Sequence, residues 1–380
     1  MRSLIILCLL SITCFKPMEA QSDVVKKRDS INKIYVGTYT RKEGHVDGKA
    51  EGIYLLNQDP QTGNLEFVCT AAQLINPSFV KVGKMGKYVY AVSELGPKDG
   101  DSGVVHSFEI QEDGSLKNIG KLGTGGFAPC HIALDRSGKY AFVSNYMGGI
   151  VMVYKIGSDG SLGKSQELKL ENSDSAHAHS VKISGDNRYA YIADLGNDKI
   201  WIYRFNIMTG QLEPHKEKSI ELEKGAGPRH ISFAKNGSFL YSINELNSTV
   251  SAFSVKSDGS LNHLQNISAL PETYRQGNSA ADIHIHPSGK FLYTSNRGHN
   301  SIAIFQINSE TGKLTHVDYI PVAGKTPRNF AISPYGKYLY AASQDTGNIT
   351  TYKINEETGK LKPQEPVFQI KTPVCLEFVK

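Results

Sequence analysis

Arg229-His230, followed sixteen residues after the arginine by Glu245, are the residues of this chain whose types and spacing could do chemistry. Arginine can fork onto a carboxylate or a phosphate. Histidine or glutamate can take a proton from water, and a guanidinium can meet the oxyanion that then forms. These residues lie in the stretch 225–246, GAGPRHISFAKNGSFLYSINEL. Ile231 and Phe233 alternate with polar neighbours there. After the turn Lys235-Asn236-Gly237, Phe239, Tyr241 and Ile243 alternate in the same way. That is the period of two half-buried strands. An antiparallel hairpin sets the start of its first strand beside the end of its second. Arg229, His230, Asn244 and Glu245 are therefore expected at one edge.

The rest of the chain repeats this unit. Thr or Asp followed by Gly-x-Leu begins at Thr62, Asp113, Asp159, Thr209, Asp258, Thr311 and Thr358, seven times at intervals of about fifty residues. Each copy sits between strand-like runs, as a hairpin turn would. Hairpins like that of 225–246 begin at Pro77, Pro129, Ala178, Pro228, Ala280, Pro327 and Pro373. Four strands in about fifty residues is a propeller blade. The expected fold is all-β: a seven-bladed β-propeller with four-stranded blades. The last copy has one strand only, 373–378, and should complete the N-terminal blade beside 34–39, which removes the open edge.

In a propeller the first strand of each blade lines the central channel, so its start and the end of strand two open on one face. The first ring then reads Ser78, Cys130, His179, Arg229, Ala281, Arg328 and Val374. The next residues are Phe79, His131, Ser180, His230, Asp282, Asn329 and Cys375. The ends of strand two add Glu94, Tyr146, Leu195, Glu245, Arg297, Gln344 and Tyr39. Arg229, Arg297 and Arg328 converge, with His131, His177, His179, His230 and His284 near and Glu245 and Asp282 among them. A basic mouth with a few acids suits a small anion. The competing reading makes each arginine half of a structural ion pair with Glu245 or Asp282. His177-Ala-His179 and His284-Ile-His286 each place two imidazoles on one face of a strand, as zinc would need. No cysteine or third ligand accompanies them, so no metal is expected. Asn145, Asp194, Asn244 and Asn296 recur at one blade position. Capping of turns explains them better than a calcium ring. No GxSxG, phosphate-loop or HExxH motif occurs, and no cofactor is expected.

The 39% hydrophobic and 21% charged content is that of a globular chain, and a net charge of +5 without a Lys/Arg block gives no reason to expect nucleic acid. Residues 1–20 combine Arg2, an apolar run over 4–15 and Ala20, the build of a signal peptide; the run is too short to span a membrane. Export to the periplasm with removal near Ala20 is expected. The rival is lipid attachment at Cys14. Residues 21–33 read as a linker and 34–380 as the propeller. Cys69, Cys130 and Cys375 are isolated and read as small buried hydrophobes.

The stretches 225–230 (Gly-Ala-Gly-Pro-Arg-His), 244–248 (Asn-Glu-Leu-Asn-Ser), 280–284 (Ala-Ala-Asp-Ile-His) and 326–328 (Thr-Pro-Arg) resemble the seven-bladed propeller lactonases. These are the 6-phosphogluconolactonases of the bacterial propeller type, and the family also includes fungal carboxy-muconate cyclases. The resemblance covers 34–380. It implies hydrolysis of a sugar δ-lactone, foremost 6-phosphogluconolactone to 6-phosphogluconate. It also implies His179, Arg229, Glu245 and Arg297 as catalytic residues, with His179 or Glu245 as base. His131, His177, His230, Asn244, Asp282, His284 and Arg328 are then expected to bind substrate. A muconate-type cyclase would also use arginine clamps and a base. A propeller that merely binds an anionic sugar or a protein would not need an acid/base pair. The sugar-phosphate activity belongs in the cytoplasm, so an exported chain points to an unphosphorylated lactone as well.

Overall fold

The computed structural model describes residues 31–379. The leader and nearly all of the linker fall outside them. From Asn32 onward the alternating sequence forms short antiparallel strands. They make seven four-stranded sheets and one two-stranded ribbon, Lys42–Glu43 with Val46–Asp47. In chain order the blades cover 32–73, 80–123, 127–169, 178–221, 228–268, 279–321 and 327–369. Strand Pro373–Phe378 pairs with Asn32–Thr38 in the register Ile34↔Phe378 and Val36↔Leu376, so the last strand is the innermost of the first blade.

The core is a set of seams, not a central ball. Tyr140, Val153, Val181 and Trp201 fill the seam between blades three and four; Tyr241, Phe305 and Ile283 fill that between five and six. Ile34, Tyr340 and Leu376 join blade seven to blade one. The repeated turn glycine belongs to these seams. Gly63, at φ +80°, would put a Cβ 2.5 Å from the Tyr338 ring of blade seven, and its carbonyl accepts from Tyr340 Oη at 3.0 Å. Gly312 does the same against Phe239 and Tyr241 of blade five. The Thr/Asp-Gly-x-Leu marker is thus a turn and also the notch into which the preceding blade's aromatic ring fits.

One irregularity positions the site. The register of the innermost strand slips between Pro129 and His131, Ala178 and Ser180, Pro228 and His230, Ala280 and Ile283, and Pro327 and Asn329. The bulged residues include Cys130, His179, Arg229, Ala281 and Arg328. A bulge leaves its extra residue out of the ladder and re-aims its side chain.

Candidate active site

Glu245, at the end of strand two in blade five, is the centre of the charged group. Its Oε2 accepts from Arg229 Nε at 2.9 Å and from Arg297 Nη2 at 2.9 Å. The two guanidiniums come from adjacent blades, so one carboxylate oxygen ties them together. Burial alone would raise the Glu245 carboxyl. Arg297, Arg229 and Arg328 outweigh that and hold it below the usual carboxylate range. Burial and Arg229 push Arg297 down to about 10, which leaves it charged at neutral pH.

A second buried chain runs inward from Arg229, which is only 2% exposed. Its Nη1 donates to the Ala281 carbonyl at 2.6 Å and to His230 Nε2 at 3.2 Å. His230 Nδ1 must then carry the proton that it donates to Asp282 Oδ1 at 2.7 Å. Asp282 also accepts from Asn329 Nδ2, His284 Nε2 and the Ile283 amide. Those histidines overcome its burial and keep it ionised. Burial and Arg229 push His230 down to about 4, so it is neutral. Asp282, His230 and His284 therefore brace Arg229 from beneath.

A cleft of about 550 Å³ opens above this base. His179, Glu245, Arg297 and Arg328 line it, with His177, Tyr146 and Tyr39. Burial, then Arg229, hold the His179 imidazole well below its ordinary pKa, so it is neutral at neutral pH, with its Nδ1 3.9 Å from Cys130 Sγ. His177 Nδ1 lies 2.9 Å from the Tyr146 carbonyl and so carries the hydrogen; its ring stacks on Tyr146 at 4.3 Å. Arg328 has no hydrogen-bond partner among the described residues. Its guanidinium lies 5.5 Å from the Tyr39 ring centre, and Tyr39 Oη donates to Glu94 Oε2 at 2.9 Å. The arrangement offers a neutral imidazole, two largely buried guanidiniums on the cleft wall and Glu245, a carboxylate that carries no proton, with Glu43 and Glu94 on the opposite lining.

Residues 33–378 match the family of seven-bladed β-propeller lactonases. The chain belongs to that family. It is a lactone-hydrolysing enzyme, a carboxylic-ester hydrolase. It is 37% identical over 313 residues to a 6-phosphogluconolactonase of Formosa agariphila, covering 78% of this chain and 85% of that one. It is 31% identical over 308 residues to the 6-phosphogluconolactonase of Bacillus subtilis, covering 78% and 83%. The periplasmic gluconolactonase of Pseudomonas aeruginosa superposes with a TM-score of 0.85 at 29% identity, covering 92% of this chain and 99% of that one.

The lactonase mouth differs from the sequence expectation in several places. Asn244 pairs opposite Pro228, but its amide is spent inside the blade on Thr249 Oγ1 and Ser251 Oγ, both at 2.8 Å. It caps a turn and does not line the cleft, and Asn145, Asp194 and Asn296 are likewise held by local bonds. Arg229 does not line the cleft; it lies behind Glu245 and donates to its Oε2. His131 packs on Phe79 below the cleft, and His284 sits beside Asp282 and Phe330. His286 bonds the Gly336 carbonyl of the neighbouring blade. Among the described residues no group of three or more His, Cys, Asp or Glu could hold a metal ion, and no helix is long and apolar enough to cross a membrane. Cys69, Cys130 and Cys375 are free thiols. His45, also on the cleft, was not foreseen, and Tyr39, Glu94 and Tyr146 were foreseen only as ring positions. Loop length was the available signal: strand two of blade one ends at Thr38 and strand three starts at Gly52, against Asn244 and Thr249 in blade five.

Proposed function

We propose that the cleft opens a sugar δ-lactone to its hydroxy acid. Water attacks the ring carbonyl carbon while His179 takes its proton. Arg297, with Glu245 holding it in place, receives the charge on the carbonyl oxygen. When the tetrahedral centre collapses, the ring C–O bond breaks and the proton passes from His179 to the leaving ring oxygen. The product is a carboxylate with a free hydroxyl, and one proton is released to solution. The observation that carries this reading is the division of labour among the charges. Glu245 Oε2 is occupied by two guanidiniums and a proton there would break both pairs, whereas His179 is unprotonated, makes no ion pair and lines the same cleft. Arg328, without a hydrogen-bond partner among the described residues, is the group for an anionic or oxygen-rich part of the substrate. Arg229, His230 and Asp282 hold this arrangement rigid, and His177, stacked on Tyr146, shapes its edge.

6-Phosphoglucono-δ-lactone is the first substrate to test, since relatives carry that name. Glucono-δ-lactone is the second, favoured by the likeness to a periplasmic gluconolactonase together with the apolar leader at 1–20, which would export the chain or, by Cys14, anchor it. A pH-stat comparison of both lactones, each corrected for spontaneous opening, ranks them. Separate His179→Ala and Glu245→Gln proteins that retained the full rate would overturn the assignment. Sequencing the N-terminus of the protein recovered from cells decides between removal near Ala20 and retention of the leader.

A further inference from the structure

The cleft has two unlike walls. One is the reactive wall of His179, Glu245 and Arg297. The other is made by the two long loops of blades one and two together with Arg328. The ribbon of blade one carries His45 at its tip, edge-on to Tyr39 at 5.2 Å and lining the cleft. Val46, 7% exposed, packs on Tyr39 and Val374 and pins the ribbon next to its tip. Glu43 accepts from Arg41 Nε at 2.5 Å, Asn76 Nδ2 at 2.9 Å and Lys98 Nζ at 3.1 Å. Arg41 Nη2 reaches on to Asp99 of the blade-two loop at 2.6 Å. Holding a long loop in one shape costs conformational entropy, and here an ion network opposes that cost together with the small apolar contact of Val46.

We propose that this second wall determines specificity: His45, the Tyr39–Glu94 pair and Arg328 hold the oxygen-bearing tail of the lactone, the hydroxyls or phosphate ester remote from its carbonyl. The inference rests on the lactone reading above. His45 and Arg328 have no hydrogen-bond partner among the described residues, so their donors and acceptors are unspent. Guanidinium donors beside a carboxylate acceptor and an imidazole match hydroxyls, which both give and take hydrogen bonds. An aliphatic lactone would leave these groups unpaired, and a site built for polar contacts rejects such an analogue.

The test compares wild type, His45→Ala and Arg41→Gln, the second loosening the ribbon from outside the cleft. KM and kcat are measured for glucono-δ-lactone, 6-phosphoglucono-δ-lactone and δ-valerolactone, net of spontaneous opening. Melting curves confirm that each variant is folded. Both variants should raise KM for the sugar lactones about tenfold with a smaller change in kcat. The preference over δ-valerolactone should collapse. A greater loss on the phosphorylated substrate assigns the wall to the phosphate ester; a greater loss on the plain one assigns it to hydroxyls. Preference unchanged in both variants overturns the proposal. If wild type accelerates no lactone at all, the lactone reading fails first and this inference falls with it.

Discussion

The reactive wall and the facing wall are made by the same repeat in two different ways. Blades four to six turn from strand two to strand three in a few residues, as between Asn244 and Thr249, and their charges are buried and interlocked. Blades one and two use long loops, and their charges are half-exposed and held by ion pairs such as Arg41–Asp99. Short hairpins on a packed sheet keep geometry to the tolerance that chemistry needs. Longer surface loops vary at little cost to the fold, which suits the part that reads the substrate.

The comparison breaks most visibly at Glu245. Glu245→Gln leaves Arg229 and Arg297 without their shared counter-charge in a mostly buried place. The lactone rate should fall about 10²–10³-fold, and chemical denaturation should show a loss on the order of 3 kcal/mol. His179→Gln, which refills most of the space of this buried ring, should lower kcat by a similar factor of about 10²–10⁴, yet cost less stability than Glu245→Gln because it leaves no charge without its partner. That split separates base from brace.

Acid sharpens the contrast. His230 is held neutral down to about 4, and burial keeps His131 and His179 neutral as well. The unfolded chain takes up these protons below its ordinary histidine pKa near 6.5, and the folded chain does not. Stability is therefore full above that value and falls as pH drops from 6.5 toward 4, by about 1.4 kcal/mol per pH unit for each imidazole. Thermal unfolding at pH 7, 6 and 5 measures it. The same depressed His179 predicts that kcat/KM shows no acid limb near pH 6.5; a midpoint there would remove His179 as the base.

Smaller effects belong to the scaffold. Gly312→Ala places a methyl against the Phe239 ring at a positive φ and should cost about 1–3 kcal/mol, with activity per folded molecule unchanged. Asp99→Asn removes a surface ion pair and should change unfolding by less than about 1 kcal/mol. A larger stability loss at Asp99 would mean that the two walls differ less than their loops suggest.

Much of this was legible in the chain. Seven copies of Thr/Asp-Gly-x-Leu declared the blades, and the single last strand declared the closure. Offsets within the repeat placed His179, Arg229 and Arg328 in one ring and Glu245 and Arg297 in another. The reason for the first ring was not legible: these residues sit on bulges at the very start of the strand, ahead of the apolar alternation in which a one-residue shift could be read. Asn244 was misplaced for the opposite reason. Its position at the edge is local and readable, but the direction of its side chain is set by Thr249 and Ser251 across the sheet.

By itself the sequence determined strand period, turn chemistry, blade count and the hairpin that sets Arg229 beside Glu245, because each depends on residues near one another in the chain. Only the tertiary structure decided that Arg297 shares the Glu245 oxygen with Arg229, that Asp282 gathers His230 and Asn329, and that Arg328 stands over the Tyr39 ring with no hydrogen-bond partner among the described residues. It also decided that His45 reaches the cleft. Those contacts join different blades. They exist only once the ring is closed and each blade's aromatic residues have seated in the next blade's turn.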